Sequence, residues 1–434
     1  MTLHQGRIGW PMIAGLGVAI VVAGQFSGWN YGLANGWADM FAATILTALL
    51  YIGLVLCITE LAAAMPSAGG LATYAQAGFG PLAGYFIGLA LCISLTVGTG
   101  ALANFISAYT EAVFGFGGWG FKFALFAVVL GIHLWGVGEA MGLILLSGAV
   151  AVAALLLFSA AMIPKAHISA LFGVAGSISP DIKGVIASIP FALWLFLGVE
   201  QAASASEEAI DPGRTMPRGL LAAIAVLLCT GVGVLIFGPA AGGVAHVAAA
   251  GDPLYAAMTS PSAYGHANWL ATIVGLGAIF GLIATFFSLS YSASRQFFAM
   301  AREGHLPLAL GATNRRGAPW AALLLIGVVG ILFSAFRPDK LLVAVVLLMS
   351  MGYVFSLAAF IRLRLRNPDL PRPFRAPGGI VTASVSLLLS LLVIAACFQL
   401  DWVILSGLGT MFVAGCIGYM ISPAQIRARR ARAT

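Results

Sequence analysis

Charge is scarce in this chain. Only 21 Lys and Arg and 14 Asp and Glu occur among 434 residues, 8% of the whole, where ordinary soluble domains carry about 25%. With 61% of residues hydrophobic, a water-soluble fold could not cover the apolar surface. Cysteine is sparse too. The five, Cys57, Cys92, Cys229, Cys397 and Cys416, all fall in apolar segments without CxxC spacing, which excludes a disulfide or metal framework and leaves small buried hydrophobes. HExxH, GxSxG and Walker-type loops are missing, and of six histidines only His133 sits inside an apolar run. No enzyme, ATP-driven pump, resident metal or organic cofactor is therefore expected. No Ser- or Pro-rich linker interrupts the chain, so a single domain is expected.

What is present is a succession of apolar runs of about 20 residues, the length a helix needs to cross a hydrocarbon core of about 30 Å. They fall at 10–35, 41–63, 82–110, 121–138, 142–163, 186–207, 217–238, 268–293, 319–336, 340–361, 379–398 and 402–421. The pattern predicts an all-α membrane protein of about twelve transmembrane helices. The first run is too long for a signal peptide and has only Arg7 ahead of it. With the N-terminus inside, sixteen of the 21 basic residues lie on the cytoplasmic side, and Lys122, Lys165, Lys183, Arg337 and Lys340 lie outside. This positive-inside bias predicts that both termini are cytoplasmic. The net charge of +7 then reports topology and not a nucleic-acid partner. The basic tail Arg427–Arg432 is either part of that signal or a contact for anionic lipid.

Lipid offers the backbone no hydrogen-bond partners, so interruptions of a spanning helix survive only where protein or a water-filled cavity supplies them. Two interruptions stand out. Val22-Ala23-Gly24-Gln25-Phe26-Ser27-Gly28-Trp29-Asn30 sets two glycines, a Gln, a Ser and an Asn in the middle of the first span. Trp194-Leu195-Phe196-Leu197-Gly198-Val199-Glu200-Gln201, followed by the small polar run 202–208, does the same in the sixth. If the first ten spans form two five-helix repeats, these positions correspond, and paired breaks point to the central site of an inverted-repeat transporter.

Glu200 is the one carboxylate near mid-membrane. A lone intramembrane acid marks a functional site, pairing with an ammonium or carrying a proton; alternatively it stays neutral and bonds the broken backbone. Phe26, Trp29, Trp194 and Phe196 could face a cationic amine, or pack. A substrate carboxylate would seek N–H groups near Gly24 to Ser27. For coupling, Thr285, Ser288 and Ser290 could help bind Na⁺, or bond their own helix, and proton coupling through Glu200 stays open. Glu60, Glu207 and Glu208 lie near cytoplasmic helix ends; with Arg295 or Arg302, Glu207 and Glu208 are candidates for a gate, or simply surface charge.

In these residues the chain resembles the amino acid–polyamine–organocation superfamily over nearly its full length. The matching pieces are Glu60-Leu61, Pro66-Ser67-Ala68-Gly69-Gly70, Tyr74, Gly80-Pro81, Phe196–Glu200, Glu207-Glu208-Ala209, Asp211-Pro212, Pro217-Arg218, Ser294-Arg295, Met300–Pro307, Ala318-Pro319 and Arg372-Pro373-Phe374. Within it the chain looks most like bacterial ethanolamine permeases, through Phe26–Leu33, Gly136–Ala140 and Pro190–Trp194. Where the superfamily has a Gly-Ser-Gly cradle this chain has Val22-Ala23-Gly24, and Gln25 replaces an Asp. The resemblance implies a LeuT-like five-plus-five inverted repeat (1–165 and 180–362) with discontinuous spans 1 and 6, two extra helices (378–421) and a basic tail (422–434). It implies a site between spans 1, 3, 6, 8 and 10, with substrate at Ala23, Gly24, Gln25, Phe26, Ser27, Gly28, Trp194, Phe196, Gly198 and Glu200, and coupling or gating at Glu60, Glu200, Glu207, Glu208, Ser288 and Arg295. The expected function is a secondary transporter of the bacterial inner membrane for a small amine, ethanolamine first. The alternatives are an amino-acid permease or exchanger and, from another class, a transporter-like amine sensor.

Overall fold

The computed structural model describes residues 8–67, 69–135, 140–172, 179–302, 305–399 and 402–420. The basic tail, most of the Gly136–Ala140 motif, Ala68, Glu303 and Gly304 lie outside them. Among the described residues the chain is helical and has no strand; one bridge ties Ile8 to Ala209.

Twelve apolar helical segments follow the predicted order. Span 1 is Trp10–Val21, Ala23–Phe26 and Trp29–Asn35; span 2 is Trp37–Ala64; span 3, Pro81–Phe114; span 4, Gly118–Trp135; span 5, Ala140–Met162. Span 6 is Ile182–Trp194 and Val199–Glu208; span 7, Pro212–Gly242; span 8, Trp269–Arg302; span 9, Trp320–Phe333; span 10, Pro338–Arg366; span 11, Ile380–Ala396; span 12, Trp402–Met420. Ten are long and apolar enough to cross a membrane, and the bent pieces of span 1 make an eleventh. Span 9 is shorter than its apolar run: Pro319 sets its start and Phe333 ends it, leaving 14 residues, roughly 21 Å of helix. Among the described residues three short α-helices lie between spans, Gly70–Phe79 after span 2, and Val244–Ala249 and Pro253–Thr259 between spans 7 and 8.

Burial sorts the spans by position. Span 3 is 94% buried along its most apolar window, whereas spans 4 and 12 are 22% and 17% buried. Span 3 is therefore the central pillar, packed chiefly on spans 8 and 10, and spans 4 and 12 face outward. Small residues let the central helices close up. A Cβ on Gly100 would lie 2.8 Å from the Gly330 carbonyl of span 9, and one on Gly277 would lie 2.3 Å from Ala154 of span 5.

Both predicted breaks are present. The two pieces of span 1 are bent by 41°, and Gly28, with φ +101°, turns the second piece into a 3-10 helix. Span 6 carries Pro190, leaves the α-helix at Trp194 and passes through Gly198, φ +109°, into a 3-10 stretch. Positive φ of this kind costs a side chain 1–2 kcal/mol in rough terms, which is why glycine occupies both corners.

Candidate functional site

The two breaks touch. A Cβ on Gly24 would sit 2.5 Å from the backbone oxygen of Trp194, so the absence of a side chain lets span 1 meet span 6. The Trp194 indole lies across this contact, and its Nε1–H donates to the Ser27 carbonyl at 3.0 Å. Beneath it is a cavity of about 40 Å³, room for roughly three waters. Span 1 lines it with Ile20, Val21, Ala23 and Gly24, and span 6 with Trp194, Leu197, Gly198 and Gln201. Span 3 adds Ser94, Leu95, Gly98 and Leu102, span 8 adds Thr285 and Leu289, and span 10 adds Val345 and Met349. The five spans expected to surround a site do surround this cavity. Its lining contains no ionisable side chain.

Glu200 is buried, 2% exposed, but behind the cavity wall. The Tyr353 hydroxyl of span 10 donates to its Oε1 at 2.9 Å, and the Tyr51 hydroxyl of span 2 approaches Oε2 at 3.4 Å. The backbone N–H of Gly198 points to both Oε2 and the Tyr51 oxygen at 3.2 Å. The two hydroxyls are 2.7 Å apart. The carboxyl thus secures the corner of span 6 to spans 2 and 10.

Of the predicted substrate residues, Ala23, Gly24, Trp194 and Gly198 line the cavity. The others surround it. Gln25 Nε2 donates to the carbonyls of Leu227 and Leu195, at 2.8 and 3.3 Å, and so joins the break of span 1 to span 7 and the break of span 6. Phe26 packs against Gly281 of span 8, and its carbonyl accepts from Tyr109 at 2.8 Å. Ser27 donates to Gly251 O at 2.7 Å, on the connector between spans 7 and 8. Gly28 fits between Leu342 and the Trp194 indole. Phe196 lies against Gly231 of span 7 and the Tyr51 ring. Asn30 ties the same piece of span 1 to the connector between spans 7 and 8, donating to Val247 and Ala250 carbonyls at 3.0 and 2.8 Å while accepting from Gly28 N–H at 3.0 Å.

The predicted coupling and gating residues are spread more widely. Ser288 and Ser290 donate to carbonyls of their own helix, Ala284 and Phe286. Thr285 instead crosses to Ala19 O of span 1 at 3.1 Å. Glu60, 1% exposed, holds the arginine-rich end of the bundle: Arg364 Nε lies 3.0 Å from Oε1, Arg372 Nε 3.2 Å from Oε1, and Ala376 N–H donates to Oε2 at 2.7 Å. Glu207 and Glu208 end span 6, and the Glu208 carbonyl accepts from Ile8 N–H at 3.0 Å. Arg295 lies over the Tyr291 ring at 4.5 Å and Arg302 over Phe298 at 5.4 Å.

Sequence reasoning missed Tyr51, Tyr353, Arg364 and Arg372. Tyr51 and Tyr353 sit 149 and 153 residues from Glu200, and nothing local distinguishes them from packing aromatics. A carboxylate on span 2 just before the family's loop motif was the available signal for the arginines.

The profile of the family described as amino acid permease matches residues 8–421. A branched-chain amino acid permease of Bacillus subtilis (strain 168) is 28% identical over 240 residues, 55% of this chain and 50% of the relative. An uncharacterized transporter of Rhizobium meliloti (strain 1021) is 26% identical over 430 residues, 96% of this chain and 90% of the relative. An L-lysine transport protein of Corynebacterium glutamicum is 26% identical over 210 residues, 46% of this chain and 40% of the relative. The chain thus matches only half, or less, of the length of those relatives whose names state a substrate. With its many apolar helices and broken central spans, the chain belongs to the amino acid permease family, within the amino acid–polyamine–organocation superfamily, and is a multi-pass membrane transporter.

Proposed function

We propose that this transporter carries neutral amino acids with apolar side chains by alternating access. The observation that carries the reading is the cavity lining: Leu95, Leu102, Leu289, Val345 and Met349 supply an apolar wall, and no ionisable side chain reaches it. A zwitterion needs only dipoles for its own two charges. The backbone at the two breaks is assigned that role, N–H groups around Ala23 and Gly24 for the carboxylate and carbonyls around Leu197 for the ammonium. The cavity of about 40 Å³ is smaller than such a substrate, so alternating access must widen it before a Val or Leu side chain is buried against the wall, which contributes about 1.5–3 kcal/mol. The relative named as a branched-chain amino acid permease supports the same class.

Ethanolamine, the first expectation from the residue patterns, fits this lining less well. It brings a cation, with neither a carboxylate nor an apolar branch, and Glu200 is engaged behind the wall by Tyr51 and Tyr353. The positive-φ corners Gly28 and Gly198, each in the first span of its half, support the proposed repeats 1–165 and 180–362. The basic bias supports cytoplasmic termini in an inner membrane. Coupling is assigned to a proton on Glu200, the buried carboxyl at the corner of span 6.

Ligand-dependent melting of the purified protein tests the substrate class. Leucine, isoleucine and valine at 10 mM should raise the melting temperature, and ethanolamine and lysine should not. Stabilisation by ethanolamine alone would overturn the assignment.

A further inference from the structure

The arginine-rich end of span 10 carries Arg362, Arg364 and Arg366. Arg364 turns inward to Glu60. Arg362 and Arg366, one helical turn apart, instead share a groove of about 310 Å³ with Ala358, Ile361 and Leu365 of the same helix and Leu387 of span 11. The groove is on the outside of the bundle, where Leu365 and the neighbouring Leu388 are 66% and 67% exposed. Arg362 lies over the Phe79 ring at 5.3 Å. Among the described residues, neither guanidinium has a carboxylate within 4 Å.

Like charges at this spacing repel across a helix turn, and a guanidinium pair presents donors suited to the oxygens of one phosphate. Four apolar side chains continue the groove away from them. Free phosphate would use the charges and leave that wall uncovered; a neutral lipid would do the reverse. We infer that the groove between spans 10 and 11 binds an anionic phospholipid, its phosphate between Arg362 and Arg366 and an acyl chain along Ala358, Ile361 and Leu387. Basic residues at the helix end place the headgroup at the membrane interface and the chain in the hydrocarbon. The site is separate from the central cavity, and its occupation does not depend on which solute the protein carries.

Native mass spectrometry of the purified full chain, titrated with dioleoylphosphatidylglycerol or dioleoylphosphatidylcholine, tests this. The wild type should bind its first phosphatidylglycerol more tightly than phosphatidylcholine. Arg362→Gln with Arg366→Gln should weaken the first phosphatidylglycerol about 30-fold, at roughly a fivefold loss per arginine, and weaken phosphatidylcholine less, because its choline cation offsets the phosphate charge. Arg362→Lys with Arg366→Lys should retain most of the binding. Should the double Gln variant fail to fold, Arg366→Gln alone, with no partner to lose, should show about a fivefold loss. Equal phosphatidylglycerol affinity in wild type and Gln variants would overturn the site. So would full competition by inorganic phosphate at the same concentration, which would make it a site for the bare anion.

Discussion

The Tyr353 hydroxyl donates to Oε1 of Glu200 at 2.9 Å, joining span 10 to the corner of span 6. With the contacts from Tyr51 to Tyr353 and to Oε2, three oxygen pairs share the two hydroxyl protons. A proton on the carboxyl completes the third pair. When it leaves, the Gly198 N–H still faces Oε2. The arrangement therefore accommodates both forms of Glu200, as a proton carrier requires.

Glu200→Gln holds the group permanently neutral. It should leave exchange of substrate measurable while removing the acceleration of uptake by an imposed pH gradient, read in proteoliposomes. Tyr353→Phe removes one donor from a buried carboxyl and should lower stability by about 1–3 kcal/mol. Gradient-driven uptake by Glu200→Gln at the wild-type rate would return Glu200 to a purely structural role.

Gly24 is required by contact and not by backbone angle. Its absent Cβ would meet the Trp194 carbonyl at 2.5 Å, and backbone cannot swing aside as a side-chain tip can. Gly24→Ala should separate the two breaks, cost about 1–3 kcal/mol through overpacking, and lower transport at least tenfold. A thermal melt beside an uptake assay checks both numbers.

The glycines and polar groups of spans 1 and 6 made the breaks legible in sequence, because such residues have few other uses in a hydrophobic helix. Which way each side chain points was not legible. Gln25, Ser27 and Glu200 read as site residues from their polarity, yet each bonds a distant segment: Gln25 through Nε2 to Leu227, its buried Oε1 left without a partner among the described residues, Ser27 to Gly251, and Glu200 to the pair Tyr51 and Tyr353. Those partners are set by how the spans pack, and a single sequence carries no trace of that. The short span 9 was misjudged for a simpler reason. Hydropathy continues past Phe333, while the backbone leaves the helix there to reach Arg337 and Pro338.

Glu60 anchors two arginines in a largely buried network. Glu60→Ala would leave Arg372, only 7% exposed, without its carboxylate and should destabilise by about 3–5 kcal/mol. The pair Arg337–Asp339 makes the contrast: its Arg side chain is 78% exposed and its Asp 16%, so Arg337→Ala leaves a carboxylate that still reaches water and should cost less, about 1 kcal/mol. Melting temperatures in one detergent rank the two.

Asp252 lies on the connector between spans 7 and 8, outside the membrane-spanning segments. Burial, reinforced by the nearby Glu111 carboxylate, pushes its carboxyl up from 3.8 to about 6. The folded state therefore binds the proton more tightly than the unfolded chain. The associated stability is fully present below about pH 4 and is lost as pH rises through 6, a difference on the order of 1–3 kcal/mol. Asp252→Asn should accordingly stabilise the protein at pH 7.5 and change little at pH 4. Equal melting shifts at both pH values would contradict the assignment.

Counterflow of labelled leucine in proteoliposomes tests the central claim most directly. Vesicles loaded with unlabelled leucine, isoleucine or valine should accumulate the label well above vesicles loaded with ethanolamine, and filling the cavity by Gly98→Leu should abolish the signal. Accumulation driven by ethanolamine and not by any branched-chain amino acid would contradict the account.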